Sequence, residues 1–382
     1  MNSFSLVKFL RFLRKGDKTL FDVPKAEQET YIATLPEPKS DIQRSLNQFK
    51  CQSFFWPKWK VPVFNIAALF AFFPILIVEW VRGLFLKPGP HFDALSELKG
   101  MEEVVPREVS ETYDIRYADW LVKGMIRSSD LGFVLKVFFN TFPHCYCSLK
   151  VMLRVAQYSQ MLFMYTPRAI ITHEEFSFAS SALTSYCERR GMKHINVMHG
   201  EKLYHIYDSF FRFSECYVWS EHYKQLFISM RAEKGQFRVS VPPSMKIDSE
   251  AHQNPAVYAD YKYYLAKFTA DEIARIVAAM NHFKEQGATV KYRVHPRYLN
   301  LDIITRFVPE SDIEDPRKVS IQESVANCHY AVGSYSTVLA QAYVSGKSVI
   351  LDNVNYKEQF DKLAEYNYWL ASEDCARLSD KM

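Results

Sequence analysis

Residues 289–297, Thr289-Val-Lys-Tyr-Arg293-Val-His295-Pro296-Arg297, and residues 330–337, Tyr330-Ala-Val-Gly333-Ser334-Tyr335-Ser336-Thr337, decide how this chain folds. Each is a short run suited to a strand that ends abruptly in polar residues. Helical patterns flank them at 269–286, 321–327 and 337–345, and a further strand reads from Ser348 to Asp352. The 269–286 helix is marked at both ends, with Thr269 as N-cap, Asp271 and Glu272 in the first turn, and Gly287 just past its end. Strands alternating with helices imply a parallel, helix-covered sheet.

The same alternation runs upstream. Ala169–Thr172, His194–Met198 and Cys216–Ser220 read as strands, and Ser177–Arg190 and Glu221–Arg231 as helices. Val239 to Pro243 breaks the run. The expectation is therefore an α/β fold of two doubly wound, Rossmann-like units joined by a linker and facing a cleft. The expected domains are 1–110, 111–242 and 243–382, the first a helical, membrane-associating region.

Composition agrees with this size and class. The chain has 382 residues, 48% hydrophobic and 24% charged, enough for about two domains with real cores. Twelve glycines and 17 prolines without a fixed period exclude collagen-like and solenoid architectures. A net charge of +4 gives no reason to expect a nucleic-acid partner. The seven cysteines show no C-x-x-C spacing, which fits a reducing compartment better than a disulfide framework. His144, Cys145 and Cys147 crowd within four residues and read as packing.

The N-terminal third differs. Residues 4–15 place Leu6, Phe9, Leu10, Phe12 and Leu13 on one helical face and Lys8, Arg11, Arg14 and Lys15 on the other. No small-residue cleavage site follows, so a signal peptide is not expected. Residues 54–86 carry an apolar run from Ile66 to Val78, interrupted by Pro74 and flanked by Phe55, Trp56, Trp80, Phe85 and basic residues. That run reads as too short and broken to span a bilayer, and its aromatic and basic borders predict contact with a membrane surface instead.

In open parallel sheets ligands bind beyond the carboxyl ends of the strands. Four expected strands end in His173-Glu174-Glu175, His199-Gly200-Glu201, His295-Pro296-Arg297 and Ser334-Tyr335-Ser336-Thr337. Ser334, Ser336 and Thr337 precede a helix and suit a phosphate at its N-terminus. His295, Arg293 and Arg297 supply cationic groups for the same phosphate. A carboxylate or imidazole after a first-unit strand suits a general base, making Glu174, Glu175 and His199 the candidates. No Asp-x-Asp pair, His-Glu-x-x-His run, P-loop or G-x-G-x-x-G occurs, so metal, dehydrogenase and kinase chemistry are not expected.

Arg-Val-His295-Pro296-Arg297 resembles the HP motif, and Ser334-Tyr335-Ser336-Thr337 the Ser-Ser/Thr motif, of bacterial GT-B glycosyltransferases of the sialyltransferase and Kdo-transferase kind. In those enzymes the two motifs bind the cytidine monophosphate of the activated sugar. The resemblance covers roughly residues 169–353. It implies an inverting, metal-independent enzyme without a cofactor, using a CMP-linked acidic sugar to extend a lipopolysaccharide or capsule glycan. It also implies a peripheral or monotopic place on the cytoplasmic face of the bacterial inner membrane, with Glu174-Glu175 resembling the acidic pair that supplies the base, although Phe176 stands where glycine is expected. His199-Gly200 is similar to a motif of CDP-glycerol glycerophosphotransferases, which keeps polyol-phosphate transfer with His199 as base open. A UDP-sugar donor stays open as well, as does a non-catalytic membrane scaffold.

Overall fold

The computed structural model describes residues 16–118, 124–297, 301–355 and 357–382. The amphipathic stretch 4–15 lies outside them. The chain forms two compact units, one made of residues up to 198 with 204–240, the other of 199–203 with 241–382.

The first unit is built on six parallel strands: β1 (Ala94–Ser96), β2 (Ile115–Tyr117), β3 (Ala169–Thr172), β4 (Lys193–Val197), β5 (Glu215–Val218) and β6 (Phe237–Val239). Their order is β2-β1-β3-β4-β5-β6, so the winding reverses between β1 and β3. These first two strands are ones the sequence does not announce, and the sheet begins at Ala94, ahead of residue 111. β3 reads Ala-Ile-Ile-Thr and is buried throughout because both faces are covered. Ile170 joins a core with Phe72, Val155 and Leu183 on one side, while Ala169 and Ile171 pack with Val105, Val109 and Val197 on the other.

One helix runs from Lys60 to Leu84, 25 residues, straight through Pro74. The apolar stretch is thus neither short nor broken, contrary to the expectation from Pro74. Proline removes one backbone donor and leaves the Phe70 carbonyl without its helical partner, but packing compensates. Ala68, Phe72, Leu76, Glu79 and Gly83, spaced three or four apart, are buried, and the helix lies against the Cys145–Tyr165 helix. At about 1.5 Å per residue it is roughly 37 Å long. Among the described residues it alone is long and apolar enough to cross a membrane by length and composition.

The second unit has its own parallel sheet: β7 (Ala259–Tyr264), β8 (Val290–Arg293), β9 (Ile313–Glu314), β10 (Cys328–Gly333), β11 (Ser348–Leu351) and β12 (Ala376–Arg377). The order is β12-β11-β10-β7-β8-β9, reversing between β7 and β10. The Ala270–Glu285 helix covers it. Thr269 and Glu272 form a reciprocal capping box, and Ile273, Ile276, Val277, Met280 and Phe283 bury one stripe. Gly287, at φ +86°, turns the chain after the helix as glycine readily does. Both units are Rossmann-like, the architecture that a resemblance to GT-B enzymes implies.

β7 changes the expected site geometry. The strand ends carrying His295 and Ser334 are not neighbours; β7 lies between β8 and β10. Its Lys262 is fully buried and donates to Glu314 Oε2 at 2.6 Å and to the Ser324 carbonyl at 3.0 Å. Arg293 Nη1 donates to Glu314 Oε1, also at 2.6 Å. Two buried cations therefore share one buried carboxylate.

Candidate functional site

Ligand crevices of doubly wound sheets open where the strand order reverses. In the second unit that point, between β7 and β10, holds a pocket of about 430 Å³. Its wall includes Tyr264 at the end of β7 and Leu265 after it, Arg293 at the end of β8 with His295 and Pro296 after it, Ser336 and Thr337 after β10, and Glu201. Thus two motifs far apart in sequence converge on one cavity.

Each predicted residue has a definite place. Ser336 is the N-cap of the Thr337–Val344 helix, its Oγ accepting from the Val338 N–H at 3.2 Å. Thr337 opens that helix within the pocket wall, so the first-turn backbone and the macrodipole present positive character there. Ser334 is buried at the end of β10 and is not part of the wall. His295 Nδ1 accepts from the Arg297 N–H at 3.1 Å, which assigns its proton to Nε2. Burial, with the Arg297 charge second, holds this imidazole below its ordinary pKa. It is therefore a neutral N–H donor at pH 7, not the cation expected from the sequence. Arg293 lines the pocket, yet its guanidinium is committed to Glu314 and to the Val319 carbonyl. Arg297 is exposed.

The first unit offers a second constellation, again at the reversal point. Glu174 follows β3 and accepts from Arg154 Nη2 at 2.5 Å, while its backbone N–H donates to Asn196 Oδ1 at 2.7 Å. Glu97, directly after β1, lies 3.9 Å from the same guanidinium. Burial foremost, then the charge of Glu174, raises the Glu97 carboxyl above the usual glutamate range, against the pull of Arg154. A carboxyl raised in this way is a better proton acceptor than one at the ordinary glutamate value. Glu175 is buried at 1% exposure, with its Oε2 accepting from Asn196 Nδ2 at 3.2 Å. Of the acidic pair, Glu174 therefore stands at the strand edge and Glu175 faces inward. His199 is exposed and belongs to the second unit.

Glu97, Arg154 and Glu201 are the residues the sequence reading did not select. Glu201 carried a signal, since it closes the His199-Gly200-Glu201 strand end. Arg154 carried none, being one basic residue in a long helix. No cluster of three or more His, Cys, Asp or Glu side chains is arranged for a metal among the described residues.

No family model matches the chain, and no curated protein matches it. Several solved structures do resemble it. The glycotransferase of kitacinnamycin is 11% identical over 76% of this chain and 86% of that one, with a TM-score of 0.45. The UDP-GlcNAc 2-epimerase of Methanocaldococcus jannaschii is 12% identical over 69% and 83%, with a TM-score of 0.40. The wall teichoic acid polymerase TagF is 8% identical over 75% of each chain, with a TM-score of 0.42. These are similarities of general chain course, and no residue role is taken from them.

Proposed function

We propose that this protein is a glycosyltransferase that moves a sugar from a nucleotide donor to a hydroxyl of a glycan or glycolipid at the cytoplasmic face of a bacterial membrane. The observation that carries the reading is the convergence of His295, Ser336 and Thr337 on one pocket at the second unit's reversal point. The buried pair of cations Lys262 and Arg293 leaves one positive charge beyond Glu314, which the Glu201 carboxylate in the wall offsets, so a phosphate there is met by the N–H and O–H donors and the helix N-terminus.

The chemistry follows from these groups. The transfer needs a carboxylate to take the acceptor's hydroxyl proton as the oxygen attacks the anomeric carbon, and Glu97 and Glu174 are the carboxylates that the first unit offers for that role. The bond from that carbon to the phosphate oxygen breaks, and the charge gathering on phosphate meets the His295 Nε2–H, the Ser336 and Thr337 hydroxyls and the helix N-terminus. In-line attack inverts the anomeric configuration. Because His295 is neutral, Arg293 is paired and the carboxylate Glu201 lies in the wall, the pocket suits a single phosphate better than two. That supports a CMP-linked acidic sugar of the Kdo or sialic acid type, transferred without a metal or other cofactor to a lipopolysaccharide or capsule acceptor.

Membrane contact rests on the outer face of the Lys60–Leu84 helix. Ile66, Phe70, Ile77 and Leu84 are 59%, 75%, 57% and 56% exposed, and an apolar face of this size is what an interfacial helix presents. With its inner face packed, the helix lies on the membrane as a peripheral or monotopic element.

A polyol-phosphate transfer with His199 as base is the second reading. It is favoured by one observation: residues 199–203 belong to the second unit and supply Glu201 to the pocket. Donor turnover with CMP-Kdo, CMP-sialic acid, CDP-glycerol and a UDP-sugar, by the native protein and by His295→Ala, separates the two. Turnover of a CMP-sugar lost in His295→Ala is the expected result; undiminished turnover in that variant overturns the assignment.

A further inference from the structure

At the C-terminal end of the apolar helix the first unit holds another pocket, of about 500 Å³, that no step of the transfer uses. Its wall includes Pro88, Arg127, Ser129, Asp130, Phe163 and Arg190. The pocket is fastened to the last turns of the helix. The Ile126 N–H donates to the Glu79 carbonyl at 3.0 Å, and Trp80 Nε1–H donates to Ser128 Oγ at 3.0 Å. A Cβ at Gly83 would stand 2.1 Å from the Ile126 carbonyl oxygen, so only glycine permits the approach.

The charges in this pocket do not cancel. Arg190 pairs with Asp130, which is 1% exposed and also accepts from Ser159 Oγ at 2.6 Å. Arg127 lies over the Phe163 ring, 3.7 Å from its centroid, and has no carboxylate partner among the described residues. Two guanidiniums thus face one carboxylate. Burial and the nearby Arg127 charge together hold the Arg190 pKa below its ordinary value, as expected for like charges that still want an anion between them. Guanidinium forks match phosphate oxygens bidentately, and one surplus positive charge matches a phosphodiester monoanion.

Position names the source of that phosphate. Leu84 and Phe85, 56% and 77% exposed, end the apolar face three residues before Pro88 in the pocket wall. A lipid whose acyl chains meet this face has its headgroup at the level of the pocket. We propose that the Arg127–Arg190 pocket binds the phosphodiester headgroup of an anionic membrane lipid and so fixes how the first unit sits on the bilayer. This rests on the membrane reading of the helix given above.

Flotation of the full chain with phosphatidylcholine vesicles, with and without phosphatidylglycerol, tests it. Arg127→Gln is the clean probe, because replacing Arg190 would leave Asp130 buried and unpaired. Lys87→Gln, an exposed cation outside the pocket wall, measures the generic effect of one basic residue at an anionic surface, about five-fold in affinity. The native chain should prefer phosphatidylglycerol vesicles. Arg127→Gln should lose more of that preference than Lys87→Gln and keep the native affinity for pure phosphatidylcholine. Equal losses in the two variants, or no preference in the native chain, overturn the proposal. So does stabilisation by glycerol phosphate in solution, sensitive to Arg127→Gln, without any vesicle preference: the pocket then serves a soluble phosphate. Phe70→Glu tests the membrane reading separately, since it should weaken binding to both vesicle types. An Arg127 effect that survives alongside an inert Phe70→Glu would refute that reading and leave the headgroup site standing.

Discussion

Glu314→Gln should be the most damaging conservative substitution in the second unit. In the native chain the carboxylate accepts from Lys262 Nζ and Arg293 Nη1, both at 2.6 Å, and all three side chains are at most 6% exposed. Glutamine keeps one acceptor but turns an NH₂ toward the other cation, leaving two buried positive charges with no anion. Breaking a buried pair in this way costs about 3–5 kcal/mol. For a domain of roughly 150 residues each kcal/mol moves the melting temperature by about 2–4 °C, so a fall of about 6–20 °C is expected. Lys262→Met removes a cation and leaves the one-to-one Arg293–Glu314 pair. Its main loss is the hydrogen bond to the Ser324 carbonyl, about 1–3 kcal/mol for an unsatisfied buried acceptor. The double variant should therefore melt above the sum of the two losses, with a coupling of about 0.5–3 kcal/mol. Thermal melts of the four proteins followed by circular dichroism decide the matter. A Glu314→Gln melt within about 2 °C of native, or a Lys262→Met melt lower than that of Glu314→Gln, refutes the shared-carboxylate account.

Other expectations follow from single groups. Glu97→Gln should lower kcat/KM by about 10²–10⁴ and remove an acid limb lying above the usual glutamate range, read from a pH–rate profile. The same variant should melt higher at neutral pH: a raised carboxyl binds its proton more tightly in the folded state, so the native residue loses stability as pH rises through that value. His194 is fully buried between the Tyr158 hydroxyl and Thr184 Oγ1, and burial foremost pushes its pKa down to about 3. Its contribution is complete above its unfolded pKa and is lost as pH falls toward 3, by about 1.4 kcal/mol per pH unit; urea titrations from pH 7 to 4 should show that slope, flattened in His194→Gln. Thr269→Ala removes the capping box and should lower stability by about 1 kcal/mol in the same titrations.

The sequence is most readable where apolar runs end in polar residues. β3 and β11 stand out because burial on both faces leaves them almost wholly apolar, and the Thr269 helix announces itself through its caps. His295, Ser336 and Thr337 could be placed from such strand ends alone. β1 could not, because three residues are too few to show a period, and Glu97 was lost with it. β7 reads Ala-Asp-Tyr-Lys-Tyr-Tyr, and its lysine looks like a surface residue until Glu314, fifty-two positions away, is seen beside it. Arg293 looked like a phosphate ligand because its own pairing with Glu314, twenty-one positions away, is equally hidden in the sequence. Pro74 misled in the opposite direction, since proline marks a break only where packing does not hold the helix together.

The central claim is that a nucleotide's phosphate binds in the pocket bounded by β7, β8 and β10. Isothermal titration of CMP, CDP and UDP into the native chain and into His295→Ala tests it most directly. CMP should bind most tightly and lose most of its affinity in the variant, with the circular dichroism spectrum unchanged. Absence of binding by all three nucleotides, or equal CMP affinity in both proteins, would contradict it.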